Sequence, residues 1–172
     1  CPIIGKNGEV LGAFAFYFHE VRSHTRREAE IVQDSTHLCA IALESDRQAR
    51  TQYRLAYIDM LTDLPNRAAF DRATVGTALA HSHGCALLIV DLDNLKTVND
   101  TFGHRAGDCL IRGAAACIEQ AAGPHSAFRL GGDEFAVLIL GDDAKADQLH
   151  QIADRVLRRL ADPIDCDGHK TV

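Results

Sequence analysis

The sequence predicts an α/β fold in which helices pack on a mixed sheet, and two observations lead to this prediction. From residue 66 onward, helical segments alternate with short and mostly apolar strands, and one hairpin is centred on a Gly-Gly pair. Alternation of this kind is typical of a sheet whose faces are covered by helices. Ahead of this part, the segment 23–61 contains neither proline nor glycine, which predicts one long helix.

The first elements are a strand and this long helix. Residues 8–18 follow the turn-like GKNG and are typical of an antiparallel strand. Thr25 followed by Glu28 predicts a capping box at the start of the helix. Because Ser45 and Gln48 interrupt its apolar stripe, both a coiled coil with a second copy and a solvated connecting helix remain open.

The remaining elements begin after a turn at 62–67, where Pro65 blocks helix continuation and Asn66 can cap the next helix. We predict, in order, a helix, a buried strand, a short helix, a turn, a second long helix, the glycine hairpin, a helix and the start of a strand. Their predicted positions are 66–80, 85–93, 94–102, 103–107, 108–121, 127–140, 144–160 and from 169 onward.

Composition and charge restrict the class of protein. Apolar residues make up 47% of the 172 residues and charged residues 24%, as in soluble globular proteins. No apolar run approaches the roughly 20 residues of a membrane span. The net charge of −6 arises entirely within residues 57–172. An acidic domain is a poor partner for a nucleic-acid polymer, although it can bind a small phosphate ligand through a divalent cation.

The six cysteines are scattered and show no metal-ligand spacing. We expect them to be free thiols in a reducing cytoplasm and expect no disulfide framework. The chain begins with Cys1 rather than methionine and stops at Val172, where a strand is expected to begin. We therefore expect it to be a piece of a longer protein.

Two acidic segments suggest a metal site. Asp91 ends a buried strand, with Asp93 two residues later, and α/β proteins often place their sites at such strand ends. Asp93 is better explained as a cap of the following helix. Asp133 and Glu134 directly follow the Gly-Gly turn. If the two strands are neighbours, these acids converge and repel unless a cation such as Mg2+ lies between them, as in nucleotidyl transfer.

Three motifs together resemble a known family. GGDEF stands at 131–135, DMLTDLPNRAAF at 59–70 and DLDNLKTVNDTFGHRAGD at 91–108. In this order they resemble the GGDEF domain of the diguanylate cyclase family. The resemblance implies a nucleotidyl-cyclase and palm-like sheet flanked by helices. It also implies that a homodimer condenses two GTP molecules into cyclic di-GMP and two pyrophosphates. The family's last segment would lie beyond Val172, so we expect an incomplete domain.

For the metal and the reaction, the resemblance points to the two acidic segments. It implies that Asp91, the backbone carbonyl of Leu92, and Asp133 bind Mg2+, with Mn2+ as an alternative ion. Asp133 is also the implied acceptor of the ribose 3′-hydroxyl proton, and Glu134 is the second acid beside it.

For the substrate, the resemblance implies that Asn99 and Asp108 bind guanine, that His104 makes a further contact and that Lys96 binds phosphates. A carboxylate can accept hydrogen bonds from guanine N1–H and N2–H, and an amide NH2 can donate to guanine acceptors. Simpler interpretations remain for each residue: Asn99 and Asp108 as helix caps, His104 as a turn residue, and Lys96 as a solvated lysine. Asp100 and Arg129 are expected to be structural ion-pair or capping residues.

Residues 1–50 resemble the C-terminal end of a GAF sensor domain with the start of a linker helix, and residues 51–172 the cyclase domain. The cyclase part departs from the family in two places. Ala122 and His125 replace the Arg and Asp of a product-inhibition motif, so we expect no feedback of that kind. Leu95 stands where phenylalanine is usual, and we expect this packing change to be tolerated.

Two other functions compete with a diguanylate cyclase under GAF control. The first is a catalytically silent, GTP-binding regulatory domain joined to an EAL phosphodiesterase domain. The second is a dimerising segment in which the helix matters and the pocket does not. The presence of all three acids, Asp91, Asp133 and Glu134, favours the enzyme.

Overall fold

The computed structural model describes residues 1–80, 84–166 and 169–171, which form two units, Cys1–Tyr53 and Arg54–Val172. The helices are α1 (Arg26–Tyr57), α2 (Arg67–Ala80), α3 (Leu95–Phe102), α4 (His104–Ala122) and α5 (Ala146–Leu160). The strands are β1 (Pro2–Ile4), β2 (Val10–Ala13), β3 (Cys85–Asp91), β4 (Ser126–Gly131), β5 (Glu134–Leu140), β6 (Ile164–Cys166) and β7 (His169–Thr171). A 3-10 turn at Gly141–Ala144 precedes α5.

The first unit contains the β1–β2 hairpin and most of α1. The two strands are antiparallel, with Pro2 opposite Ala13, and the turn between them closes through Gly8 N donating to Gly5 O at 3.0 Å. The predicted strand ends at Ala13, so its extension to residue 18 was wrong. The physical reason is that backbone pairing extends only to Phe14, which exchanges hydrogen bonds with Cys1 at 2.8 Å, and no described strand pairs with residues 15–18.

The start of α1 confirms the predicted capping box. The Glu28 carboxylate accepts a hydrogen bond from Thr25 N at 2.7 Å, and Thr25 Oγ1 accepts one from Glu28 N at 3.3 Å. Arg22 also pairs with Glu28, and the hydrogen bonds from Arg22 and Thr25 lower the pKa of Glu28 to about 2. The helix ends at Tyr57, four residues earlier than predicted, because Ile58 forms a β-bridge with Pro65.

The second unit is built on a three-stranded sheet with the order β3-β5-β4. Both pairings are antiparallel, where a mixed sheet was predicted, and no parallel pair occurs among the described residues. Helices lie on both faces of this sheet, which confirms the predicted α/β class with flanking helices. The glycine hairpin between β4 and β5 is confirmed as well.

The core explains why β5 is the central strand. Its alternate residues Phe135, Val137 and Ile139 belong to a cluster with Ile118 of α4 and Val156 of α5. The residues between them, Ala136 and Leu138, join a second cluster on the opposite face with Phe128 and Phe70 of α2. A strand that is buried on both faces needs a continuous apolar run, which is what residues 135–140 provide.

One helix boundary differs from the prediction and matters for the site. The turn predicted at 103–107 is reduced to Gly103, and α4 begins at His104 rather than at Asp108. Gly103 has φ of +83°, a conformation that glycine adopts without steric cost. It allows α3 and α4 to follow one another with a single residue between them.

A disulfide joins Cys109 of α4 to Cys166 of β6, with a Cα–Cα distance of 5.7 Å. The expectation of free thiols was therefore wrong for this pair, while Cys1, Cys39, Cys85 and Cys117 are free. The two cysteines are 57 residues apart, and only the packing of β6 against α4 brings them together. No helix in the described residues is both long and apolar enough to cross a bilayer.

Candidate active site

Asp91 and Glu134 lie opposite each other on neighbouring strands. The register of β3 and β5 pairs Asp91 with Glu134 at the end of the ladder, and opposed residues of an antiparallel pair project from the same face. One residue further on, Leu92 N donates to Asp133 O at 3.2 Å. The strand end and the hairpin, which the sequence predicted to be neighbours, are therefore joined by backbone pairing.

The glycines of the hairpin are required by their backbone angles. Gly131 has φ of +142° and Gly132 has φ of +54°. A Cβ built on either glycine meets no atom of another described residue within 4 Å, its chain neighbours apart, so the space around the turn is open. Asp133, which directly follows this turn, is half-buried, and Glu134 is exposed. The turn therefore leaves room for a ligand beside two carboxylates.

Arg129 ties this turn to the segment that precedes α2. Its Nη1 donates to Asp59 Oδ1 at 2.9 Å, and its Nη2 donates to Gly132 O at 2.8 Å. Asp59 Oδ1 also accepts from Thr62 N at 3.0 Å and from Thr62 Oγ1 at 2.8 Å. Burial favours a raised pKa for Asp59, but the hydrogen bonds from Arg129 and Thr62 outweigh it and hold the pKa below its usual value.

The interpretation of Arg129 as an ion-pair residue is confirmed. The roles of its partner Asp59 and of Thr62, which donates to Asp59, were missed by the sequence analysis, although both residues lie in the DMLTD segment. An acid followed three residues later by threonine is a local signal for a hydrogen-bonded turn. The pattern could not reveal that the guanidinium of Arg129, 70 positions later in the sequence, pairs with Asp59.

The predicted guanine-binding residues lie on two consecutive helices. Asn99 belongs to α3 and Asp108 to the second turn of α4, and both are half-buried. Neither helix begins with a side-chain cap hydrogen bond, so the capping interpretations of Asn99, Asp108 and Asp93 were wrong. Asp93 lies past the end of β3, in the turn that leads to α3.

His104 and Lys96 occupy the exposed surfaces of the same helices. His104 is the first residue of α4 rather than part of a longer turn, and Lys96 lies in the first turn of α3. Within the described part of the chain, no hydrogen bond joins either side chain to another predicted site residue. The structure thus brings Asp91 and Leu92 to the hairpin acids, while it leaves Lys96 and His104 free to meet a ligand.

The carboxylates of the site have no protein cation among the residues that the structure describes. Among the described residues, the side chains of Asp91, Asp133, Glu134 and Asp108 form no hydrogen bond or ion pair. The described part of the chain also contains no group of three or more His, Cys, Asp or Glu side chains that could by itself hold a metal. Mg2+ needs only one or two carboxylates, because substrate phosphates and water complete its shell. The all-oxygen donor set at Asp91, Leu92 and Asp133 fits such an ion.

Comparison with known proteins identifies the family. The model of the family described as diguanylate cyclase, GGDEF domain, matches residues 56–172. The chain belongs to the GGDEF family. The GGDEF match covers the whole β3–β5–β4 sheet with helices α2 to α5, and it includes the hairpin and every residue of the candidate site.

Two curated GGDEF relatives are diguanylate cyclases. The chain is 36% identical over 183 residues to DgcN of Escherichia coli K12, covering 95% of this chain and 44% of that protein. It is 39% identical over 121 residues to TpbB of Pseudomonas aeruginosa UCBPP-PA14, covering 68% of this chain and 28% of that protein. The chain therefore spans less than half the length of these relatives.

A solved structure also resembles the chain. It contains the coiled coil and GGDEF domain of DgcB from Caulobacter crescentus in complex with c-di-GMP. The match has a TM-score of 0.61 and 33% sequence identity, and it covers 77% of this chain and 68% of that one.

Proposed function

We propose that this chain is the catalytic part of a magnesium-dependent diguanylate cyclase that condenses two GTP molecules into cyclic di-GMP and two pyrophosphates. The observation that carries the proposal is the pairing of Asp91 with Glu134 at the GGDEF hairpin. These acids have no protein cation in the described residues, in a chain that belongs to the GGDEF family. Uncompensated carboxylates held side by side favour a bound cation.

The chain's own residues would hold a cation and move a proton. Asp91, the Leu92 carbonyl and Asp133 would provide oxygen ligands for Mg2+ or Mn2+. The bound cation supplies positive charge to the triphosphate and lowers the pKa of a nearby hydroxyl. Asp133 accepts the proton from the ribose 3′-hydroxyl, and Glu134 is the second acid. The 3′-oxygen then bonds to the α-phosphorus of the other GTP, and pyrophosphate leaves.

Asn99 and Asp108 recognise the base. Asp108 accepts hydrogen bonds from guanine N1–H and N2–H, and the Asn99 NH2 group donates to a guanine acceptor. Adenine lacks the N1–H and N2–H donors, so the half-buried carboxylate of Asp108 would remain unpaired opposite it, which explains selection of GTP. Lys96 faces the phosphates, and His104 makes a further contact with the substrate.

The reaction needs two copies of the chain, because each contributes one GTP. Support for a homodimer comes from α1, where Ile31, Leu38 and Ile41 are between 46% and 66% exposed at helical spacings of seven and three residues. Pairing of such helices would control how often the two half-sites meet. Control by an N-terminal GAF domain, a cytoplasmic location and a downstream EAL domain remain predictions.

The test incubates the full-length protein with GTP and Mg2+ and measures cyclic di-GMP by chromatography. We expect Asp133→Asn to abolish turnover while largely sparing GTP binding. The matched control is Asp154→Asn, at an exposed position of α5, which should retain turnover. If the wild-type protein binds GTP and never consumes it, the chain is a regulatory GTP-binding domain and the enzymatic proposal fails.

A further inference from the structure

Gly107 stands at a position where its own backbone does not require glycine. It lies in the second turn of α4, is buried, and has no left-handed φ. Alanine stabilises a helix more than glycine does, because glycine loses more backbone entropy on folding. The helix would therefore be more stable with alanine at 107, and the presence of glycine needs another explanation.

The explanation is the side chain of Asn99. A Cβ at position 107 would lie 2.9 Å from Asn99 Cγ and 3.2 Å from Asn99 Nδ2, and it would overlap Asn99 Oδ1. Because all three amide atoms lie close to the same point, a Cβ at 107 requires the whole Asn99 amide to move. Glycine at 107 thus leaves the space in which the Asn99 amide packs against α4.

The Asn99 amide also has no protein partner in the described ranges. Within the described residues it forms no hydrogen bond, although it is half-buried. A half-buried amide without a protein partner has its donors and acceptor available to water or to a ligand that displaces the water. Asp108, the next residue after Gly107, likewise has no partner there.

We propose that Gly107 is a positioning residue for guanine recognition: its missing side chain holds the Asn99 amide against α4, next to Asp108. This inference rests on the proposed function for the role of Asn99. A methyl group at 107 displaces the amide from the position in which it and Asp108 can both reach one base.

Binding measurements test the positioning role. Calorimetry of the full-length protein with Mg2+ and the non-condensing analogue α,β-methylene-GTP should show affinity about threefold to tenfold weaker for Gly107→Ala, the loss of one hydrogen bond. Affinity for inorganic tripolyphosphate, which has no base, should not change. Gly76→Ala is the matched control, because a Cβ at that helical glycine meets nothing within 4 Å, and it should bind both probes like wild type. The proposal would be overturned if Gly107→Ala weakened the affinity for both probes equally, or weakened the affinity for neither.

A stability measurement tests the contact without any nucleotide. Gly107→Ala should lower Tm in the wild-type background and raise it in an Asn99→Ala background, where the crowded amide is gone. Gly76→Ala should raise Tm in both backgrounds. A rise of Tm for Gly107→Ala in both backgrounds would show that Asn99 does not need the space. If the contact is present and the wild-type protein binds no guanine nucleotide, the proposed function fails and the positioning role fails with it.

Discussion

Replacing Arg129 with alanine removes three side-chain hydrogen bonds, which brace the glycine hairpin and join it to the DMLTD segment. One of them reaches Asp59 Oδ1, and two reach Gly132 O. The carbonyl of Gly132 precedes Asp133, so these bonds hold the turn that carries the proposed catalytic acid. The substitution should therefore lower both the stability of the second unit and the turnover of GTP.

The expected loss of stability follows from the burial of the ion pair between Arg129 and Asp59. The Arg129 side chain is 10% exposed and that of Asp59 is 24% exposed, so water can replace the lost donors only in part. Hydrogen bonds to charged groups contribute about 1.5–3 kcal/mol, and breaking a fully buried ion pair costs about 3–5 kcal/mol. Because Thr62 still donates two hydrogen bonds to Asp59, we expect Arg129→Ala to lower the free energy of unfolding by about 2–3 kcal/mol, within the range for a hydrogen bond to a charged group.

The assay is urea-dependent hydrogen exchange of the β5 amides, which reports unfolding of the second unit. The matched control is Arg54→Ala, because the pair Arg54–Asp63 has a similar distance of 2.7 Å but side chains that are 60% and 77% exposed. This exposed pair should contribute about 0–1 kcal/mol. Equal losses for Arg129→Ala and Arg54→Ala would refute the reasoning, since burial would then make no difference.

The same pair gives the second unit a defined dependence on pH. The pKa of Asp59 is lower in the folded chain than in the unfolded chain, so its contribution to stability is fully present above the unfolded pKa of about 4. It is lost as pH falls through the folded pKa. The difference in stability between wild type and Asp59→Asn should therefore shrink on acidification, as measured by the same exchange experiment.

Two further predictions concern the disulfide and the start of α1. Cys109→Ser should lower the free energy of unfolding by about 2–4 kcal/mol, because the bond to Cys166 closes a loop of 57 residues. Cys117→Ser changes a free cysteine on the same helix and should have a much smaller effect. Equal urea midpoints of unfolding for the two variants would contradict this prediction. Arg22→Gln should raise the pKa of Glu28 from about 2 toward 4.5 in an NMR titration, since Arg22 is its main partner, and an unchanged pKa would show that Thr25 alone lowers it.

Where the determinants are local in the chain, sequence reasoning located the elements well. The capping box of Thr25 and Glu28 and the glycine hairpin both depend on neighbouring residues, and both are confirmed. The order of motifs was enough to indicate the family, because the GGDEF, DMLTD and 91–108 segments each carry a recognisable local pattern. The start of α4 was misplaced, since Gly103 can either prolong a turn or reverse the chain in one residue.

The sequence by itself thus determined the alternation of elements, the acidic character of the site and the family. Only the tertiary structure decided that Asp91 faces Glu134, that Arg129 joins Asp59 to the hairpin, and that Cys109 meets Cys166. The physical reason is that backbone angles, caps and turns depend on a few adjacent residues. Strand register and side-chain partners instead depend on which faces the whole chain can bury together.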